Sequence, residues 1–146
     1  MNAIQLQIPA QAEYIDIVRL CVYGLGNTLG FTYEDIEDMK VAASEACNNA
    51  VLNDPQLEGP GNIDICFESD DSSLTIKVVY NGNTYKDADP LRNGKPLHVN
   101  HVKDLNYGML GLYLMQALMD EVTLNTNADH GTEVIMKKYS MKEGMV

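Results

Sequence analysis

Two helical patterns follow one another between residues 12 and 52 with no strand signal between them, and this succession limits the folds open to the chain. From Ala12 to about Leu29 the residues Tyr14, Ile17, Val18, Cys21, Val22, Leu25 and Leu29 recur at helical spacing. Gly30 stops that helix. Thr32 caps the second, with Asp35 three residues on in a variant of the capping box. The buried face of this second helix reads Ile36, Met39, Ala43, Cys47 and Ala50. Strand periodicity surrounds the pair. Ile4, Leu6 and Ile8 alternate with glutamines up to Pro9. Ile63, Ile65 and Phe67 form the next strand, a polar turn at Asp70 to Ser73 follows, and Leu74, Ile76 and Val78 form its partner. A third helix runs from about Met109 to Asp120, entered through Gly108. Strands at Glu121 to Asn127 and Thr132 to Tyr139 close the chain through an Asp129-His130-Gly131 hairpin turn. Helices that never alternate one for one with strands argue against a doubly wound parallel sheet. The order predicts an α+β two-layer sandwich: a mixed, mostly antiparallel sheet covered on one face by three helices.

From about Asn81 to Tyr107 the periodicity collapses into a stretch holding Gly82, Pro90, Gly94 and Pro96. A loop of that length inside a compact domain is usually a lid or binding loop, or else disordered. The expected organisation is one domain over residues 1–146, with its lid at about 81–107. The formal net charge is -11, and a phosphate backbone repels such a surface, so direct nucleic-acid binding is not expected. Cys21, Cys47 and Cys66 are odd in number and lack CxxC spacing, which speaks against a disulfide framework or a zinc site. No signal-peptide pattern opens the chain, and no apolar run approaches the roughly 20 residues that a membrane helix needs. The reading is a soluble, cytoplasmic protein with reduced thiols and no membrane partner.

Glu45 and Asn49 stand four residues apart and so share one stripe of the second helix. A carboxylate can accept a hydroxyl proton, and an amide oxygen is a hard ligand suited to Mg²⁺. A solvated face of an acidic helix would show the same spacing. Gly108-Met109-Leu110-Gly111 opens the third helix, where backbone N–H groups can meet phosphate oxygens; a tight packing corner is the alternative. Asn81-Gly82-Asn83 reads as a strand end or a turn, and Gly131-Thr132 as a pocket edge or hairpin chemistry. His98, His101 and Asp104 have metal-like spacing but sit in a polar loop without a further nearby ligand.

The order of these features is more specific than any one of them. Ser-Glu-Ala-Cys-Asn-Asn-Ala-Val at 44–51 resembles the N box of GHKL (Bergerat-fold, or histidine-kinase-like) ATPases. Gly-Leu-Tyr-Leu-Met at 111–115 and Leu-Met-Asp-Glu-Val at 118–122 resemble the third helix of the sigma-B-type anti-sigma-factor serine kinases. Ile-Pro-Ala-Gln-Ala-Glu-Tyr at 8–14 and Asp-Ile-Glu-Asp at 35–38 are similar to the amino-terminal half of that family. The similarity runs from residue 4 to about 139.

The resemblance implies a homodimer that holds a sigma factor and uses ATP with Mg²⁺ to phosphorylate a serine of an anti-anti-sigma protein. It makes Glu45 the general base and Asn49 the Mg²⁺ ligand. It places Tyr80, Gly82 and Thr132 at the adenine, and Gly108, Leu110 and Gly111 in the lid around the phosphates. Three positions depart from the family pattern. Tyr80 stands where the family has an Asp that accepts the adenine amino group, Met109 replaces a lid glycine, and Leu52-Asn53-Asp54 replaces His-Ala-Tyr. Retained Glu45 and Asn49 favour a working kinase. Tyr80 and Met109 favour the alternative, a catalytically inactive relative that regulates by binding its partner.

Overall fold

The computed structural model describes residues 2–56, 59–81, 107–127 and 131–140. Its elements run β1 (Asn2–Pro9), a 3₁₀ turn (Ala12–Tyr14), α1 (Ile15–Leu29), α2 (Tyr33–Leu52), β2 (Asn62–Ser69), β3 (Ser73–Tyr80), α3 (Tyr107–Leu118), β4 (Glu121–Asn127) and β5 (Gly131–Tyr139). The α+β arrangement and the order of elements are those expected. The strands form one sheet in the order β1-β2-β3-β5-β4. All four pairings are antiparallel, so no parallel pair is present among the described strands.

Local signals act where they were read. Gly30 ends α1 in the left-handed region (φ 81°), and the Thr32 hydroxyl accepts from the Asp35 N–H at 3.1 Å to open α2. The expected face of α1 is turned inward, with Tyr14, Cys21, Leu25 and Leu29 packed against the core, and Ile17 is the exception. Ile15, Val18, Val22 and Gly26 are buried, whereas Ile17 is 41% exposed. At Gly26 a Cβ would lie 2.6 Å from Cγ1 of Ile36, so α1 rests backbone-close on α2 at that point.

One face of the sheet is sealed. Leu74, Ile76, Val78 and Tyr80 are buried, while Thr75, Lys77 and Val79 between them remain partly exposed on the other face. The helices cover the buried face. α2 is the central one, with Ala42, Ala43, Ala46 and Cys47 all fully buried because α1 and α3 flank it.

The topology gives the sheet two distinct ends. Asp54, just past α2, accepts from the Gly61 N–H at 2.8 Å, which brings the carboxyl end of α2 to the start of β2. There Ile63 pairs with Tyr80, and Tyr80 pairs with Thr132. At the other end Lys138 of β5 reaches Asp35 (3.8 Å) and Asp38 (3.7 Å) of α2 and donates to the Leu118 carbonyl of α3 at 2.5 Å. α2 and α3 therefore run antiparallel, fastened at one end and meeting Gly111 at the other.

Candidate active site

Glu45 and Asn49 occupy the second half of α2, at the sheet end where β3 finishes. Asn49 is 1% exposed and Glu45 intermediate, so this stripe is not the solvated face that spacing alone allowed. Gly111, in the first half of α3, lies directly against both. A Cβ at 111 would be 3.0 Å from Asn49 Nδ2 and 3.3 Å from Glu45 Oε2. Only a residue without a side chain leaves that approach open, and it brings the amino-terminal backbone of α3 beside a carboxylate and a carboxamide.

Tyr80 and Thr132 form the floor of the same end. They are 3% and 2% exposed and stand opposite each other on β3 and β5. Gly131, at φ 95°, packs its backbone so tightly there that an added Cβ would overlap the Tyr80 carbonyl oxygen. Leu110 is 45% exposed. Gly108 falls within the first turn of α3. Gly82, most of the expected lid at 81–107, and His98, His101 and Asp104 lie outside the described residues, as do 128–130 of the hairpin turn. Among the described residues no cluster of three or more His, Cys, Asp or Glu could hold a metal.

The composition of this end fits a Mg²⁺-nucleotide at its phosphate side. Glu45 and Asn49 offer the hard oxygen donors that Mg²⁺ prefers, and Gly111 lets the start of α3 pack directly against both. Two features escaped sequence reading. The Asn53 side chain donates to the Asn49 carbonyl at 2.9 Å, capping the helix that carries the pair. Asp54 ties the following loop through Gly61. These two residues occupy the positions where His-Ala-Tyr was expected, and the Asp54-Pro55 dipeptide is a turn signal that could have exposed the second.

Cys47 lies between Glu45 and Asn49 in sequence but faces the core. Burial pushes its thiol up to about 12 against a smaller opposing pull from Arg19, so it stays protonated and inert at neutral pH.

Residues 8–138 match the histidine kinase-like ATPase domain family. The chain is 40% identical over 140 residues to the serine-protein kinase RsbW of Bacillus velezensis, covering 95% of this chain and 86% of the relative. It is 38% identical over 137 residues to RsbW of Bacillus subtilis strain 168, covering 93% and 84%. The chain belongs to the RsbW family. A crystal structure of RsbU and RsbW domains from Mycobacterium tuberculosis superposes with a TM-score of 0.69 at 19% identity. That match covers 96% of this chain and 33% of the solved one, and it shows the shared fold. No described helix is long and apolar enough to cross a membrane.

Proposed function

We propose that this chain is an ATP-dependent serine-protein kinase and anti-sigma factor, which binds a sigma factor and phosphorylates a serine of an anti-anti-sigma partner. The observation that carries this reading is the meeting of Glu45, Asn49 and the Gly111 backbone at one sheet end. Relatives at 38–41% identity that bear the serine-protein kinase name support turnover over a role in binding alone. When bound, Mg²⁺-ATP supplies the phosphoryl group. Asn49 offers its amide oxygen to the ion. Glu45 would accept the proton of the incoming serine hydroxyl and raise the nucleophilicity of its oxygen, with ADP as the leaving group when the γ-phosphorus–oxygen bond breaks. The first turn of α3, which Gly111 holds beside Glu45 and Asn49, would present its unpaired backbone N–H groups to phosphate oxygens.

The same reading makes the protein cytoplasmic and homodimeric. β1 supports the dimer: it is an edge strand paired only to β2 among the described strands, and its Ile4 is 48% exposed.

The test is transfer of labelled phosphate from ATP, with Mg²⁺, to an anti-anti-sigma protein. Glu45→Gln should slow transfer by about 10²–10⁴-fold, the usual worth of a positioned base, while sigma-factor capture persists. A wild-type chain that captures the sigma factor yet transfers no phosphate would establish the binding-only reading instead.

A further inference from the structure

α2 meets its neighbours through alanines: Ala42, Ala43, Ala46 and Ala50 are all buried. Ser44 stands among them at 6% exposure, although serine is the poorer helix former. Its hydroxyl donates to the Lys40 carbonyl at 2.7 Å, one turn back along the same helix. From α1, Arg19 Nε donates to the same hydroxyl oxygen at 2.8 Å, while the guanidinium pairs with Asp16. A guanidinium only donates, so Ser44 accepts from it and turns its own hydrogen to the carbonyl. Arg19 thereby fixes the direction of the bond within α2.

A hydroxyl bonded back to the carbonyl four residues earlier often bends its helix. Glu45 follows Ser44 directly, and Asn49 stands further along the same helix. A change of about 5° in the course of α2 at Ser44 moves Asn49, about 7.5 Å along the axis, sideways by about 0.7 Å. The approach of α3 leaves little slack for that: a Cβ at Gly111 would stand 3.0 Å from Asn49 Nδ2 and 3.3 Å from Glu45 Oε2. Group transfer loses on the order of 10²-fold for a 1 Å misplacement.

We infer that Arg19 and Ser44 are positioning residues for phosphoryl transfer: the contact between Arg19 Nε and the Ser44 hydroxyl sets the course of α2, and with it the place of Glu45 and Asn49 against the start of α3. Both act through the helix that carries the pair. The part that matters is the Nε donor, because it alone determines where the Ser44 hydrogen points; the charge and the Asp16 ion pair hold the guanidinium in reach. The inference rests on the kinase reading above and extends its machinery to the face where α1 meets α2.

Phosphate transfer by the whole chain to an anti-anti-sigma protein, with kcat and KM measured separately, tests it. Arg19→Met and Ser44→Ala should each lower kcat about tenfold, with KM for the acceptor protein within about twofold and melting close to wild type. The double variant should lose no more than either single one, because the two side chains make one contact. Arg19→Gln places an amide N–H donor at the same bond count as Nε, without the charge or the Asp16 pair, so its kcat should stay within about threefold of wild type. Unchanged kcat in Arg19→Met and Ser44→Ala, additive losses in the double variant, or an Arg19→Gln as slow as Arg19→Met each overturn the inference. A raised KM at unchanged kcat overturns it too, and makes α1 a surface for the acceptor. The side-chain amide resonances of Asn49 in the nucleotide-free chain give a readout that needs no turnover. They should shift in Arg19→Met and Ser44→Ala and stay in place in Arg19→Gln. A wild-type chain that transfers no phosphate but whose variants show those shifts ends the kinase reading and leaves the placement of Asn49 by Arg19 intact. Resonances unmoved in every variant overturn the placement even where transfer survives.

Discussion

At the residue scale the site depends on a missing side chain. Gly111 holds Asn49 Nδ2 and Glu45 Oε2 at 3.0 and 3.3 Å from where its Cβ would stand, so an added methyl displaces both by a few tenths of an ångström. Side chains on a helix face can yield that much at little cost in stability. Positioning for group transfer is less forgiving, since a 1 Å misplacement costs on the order of 10²-fold. Gly111→Ala should melt close to wild type yet turn over about tenfold more slowly. A loss of stability with specific activity preserved would place Gly111 among packing residues. Asp70, in the β2–β3 turn, shows a different use of a single carboxylate. The Ser72 N–H (2.9 Å) and Ser73 hydroxyl (3.0 Å) both donate to its Oδ1 and hold its pKa below the usual value. A lowered carboxyl pKa stabilises the fold above the unfolded value of about 3.9 and ceases to do so as pH falls through the folded one. The destabilisation caused by Asp70→Ala, measured by denaturant midpoint at neutral pH, should shrink as pH drops below about 4. A penalty that is constant down to pH 3 would assign the effect to backbone conformation instead.

At the element scale the angle between α2 and α3 is fixed from the end remote from the site. Lys138 is 11% exposed and joins Asp35 and Asp38 of α2 to the last carbonyl of α3. Removing it would leave two carboxylates facing each other and a helix end without its donor. Lys138→Ala should cost about 1–3 kcal/mol in chemical denaturation, the range for losing a charged partner of buried polar groups. The Lys77–Glu68 pair at 3.2 Å, with side chains 33% and 27% exposed on the open face of the sheet, makes a control. Its loss in Lys77→Ala should cost less than about 1 kcal/mol. Equal costs would mean that the Lys138 contacts act as an ordinary surface ion pair.

At the scale of the molecule α2 is the axis of the fold, enclosed by α1, α3 and the sheet. Cys47 reports on that enclosure. With 0% exposure and a thiol raised by burial to about 12, it should resist alkylation at about pH 8 while the chain is folded and react fully in denaturant. Cys21 and Cys66 are partly exposed and should label earlier. Mass spectrometry of the labelled peptides checks the order. Rapid native labelling of Cys47 would show that α2 separates from its neighbours on the timescale of the reaction.

The boundaries of elements and the chemistry available on each were local properties, and so were open to a linear reading. Thr32 with Asp35, Gly30, the Asp70–Ser73 turn and the two-residue alternation of β2 and β3 each express contacts within a few residues. The Glu45–Asn49 stripe follows from helical geometry in the same way. Whether that stripe met water or protein was not local. It depended on Gly111, which the chain brings back after β3, and on the small residues Ala42 and Ala46, which let neighbouring helices enclose α2. The close approach of α1 to α2 followed from one glycine, Gly26, meeting Ile36, which no periodicity within α1 encodes. Asp54, Asn53 and Lys138 carry ordinary polar side chains whose partners the fold alone assigns. Sequence determined which groups could act, because propensity and hydrogen-bonding capacity belong to residues; tertiary structure decided which of them meet, because burial and contact belong to pairs of distant segments.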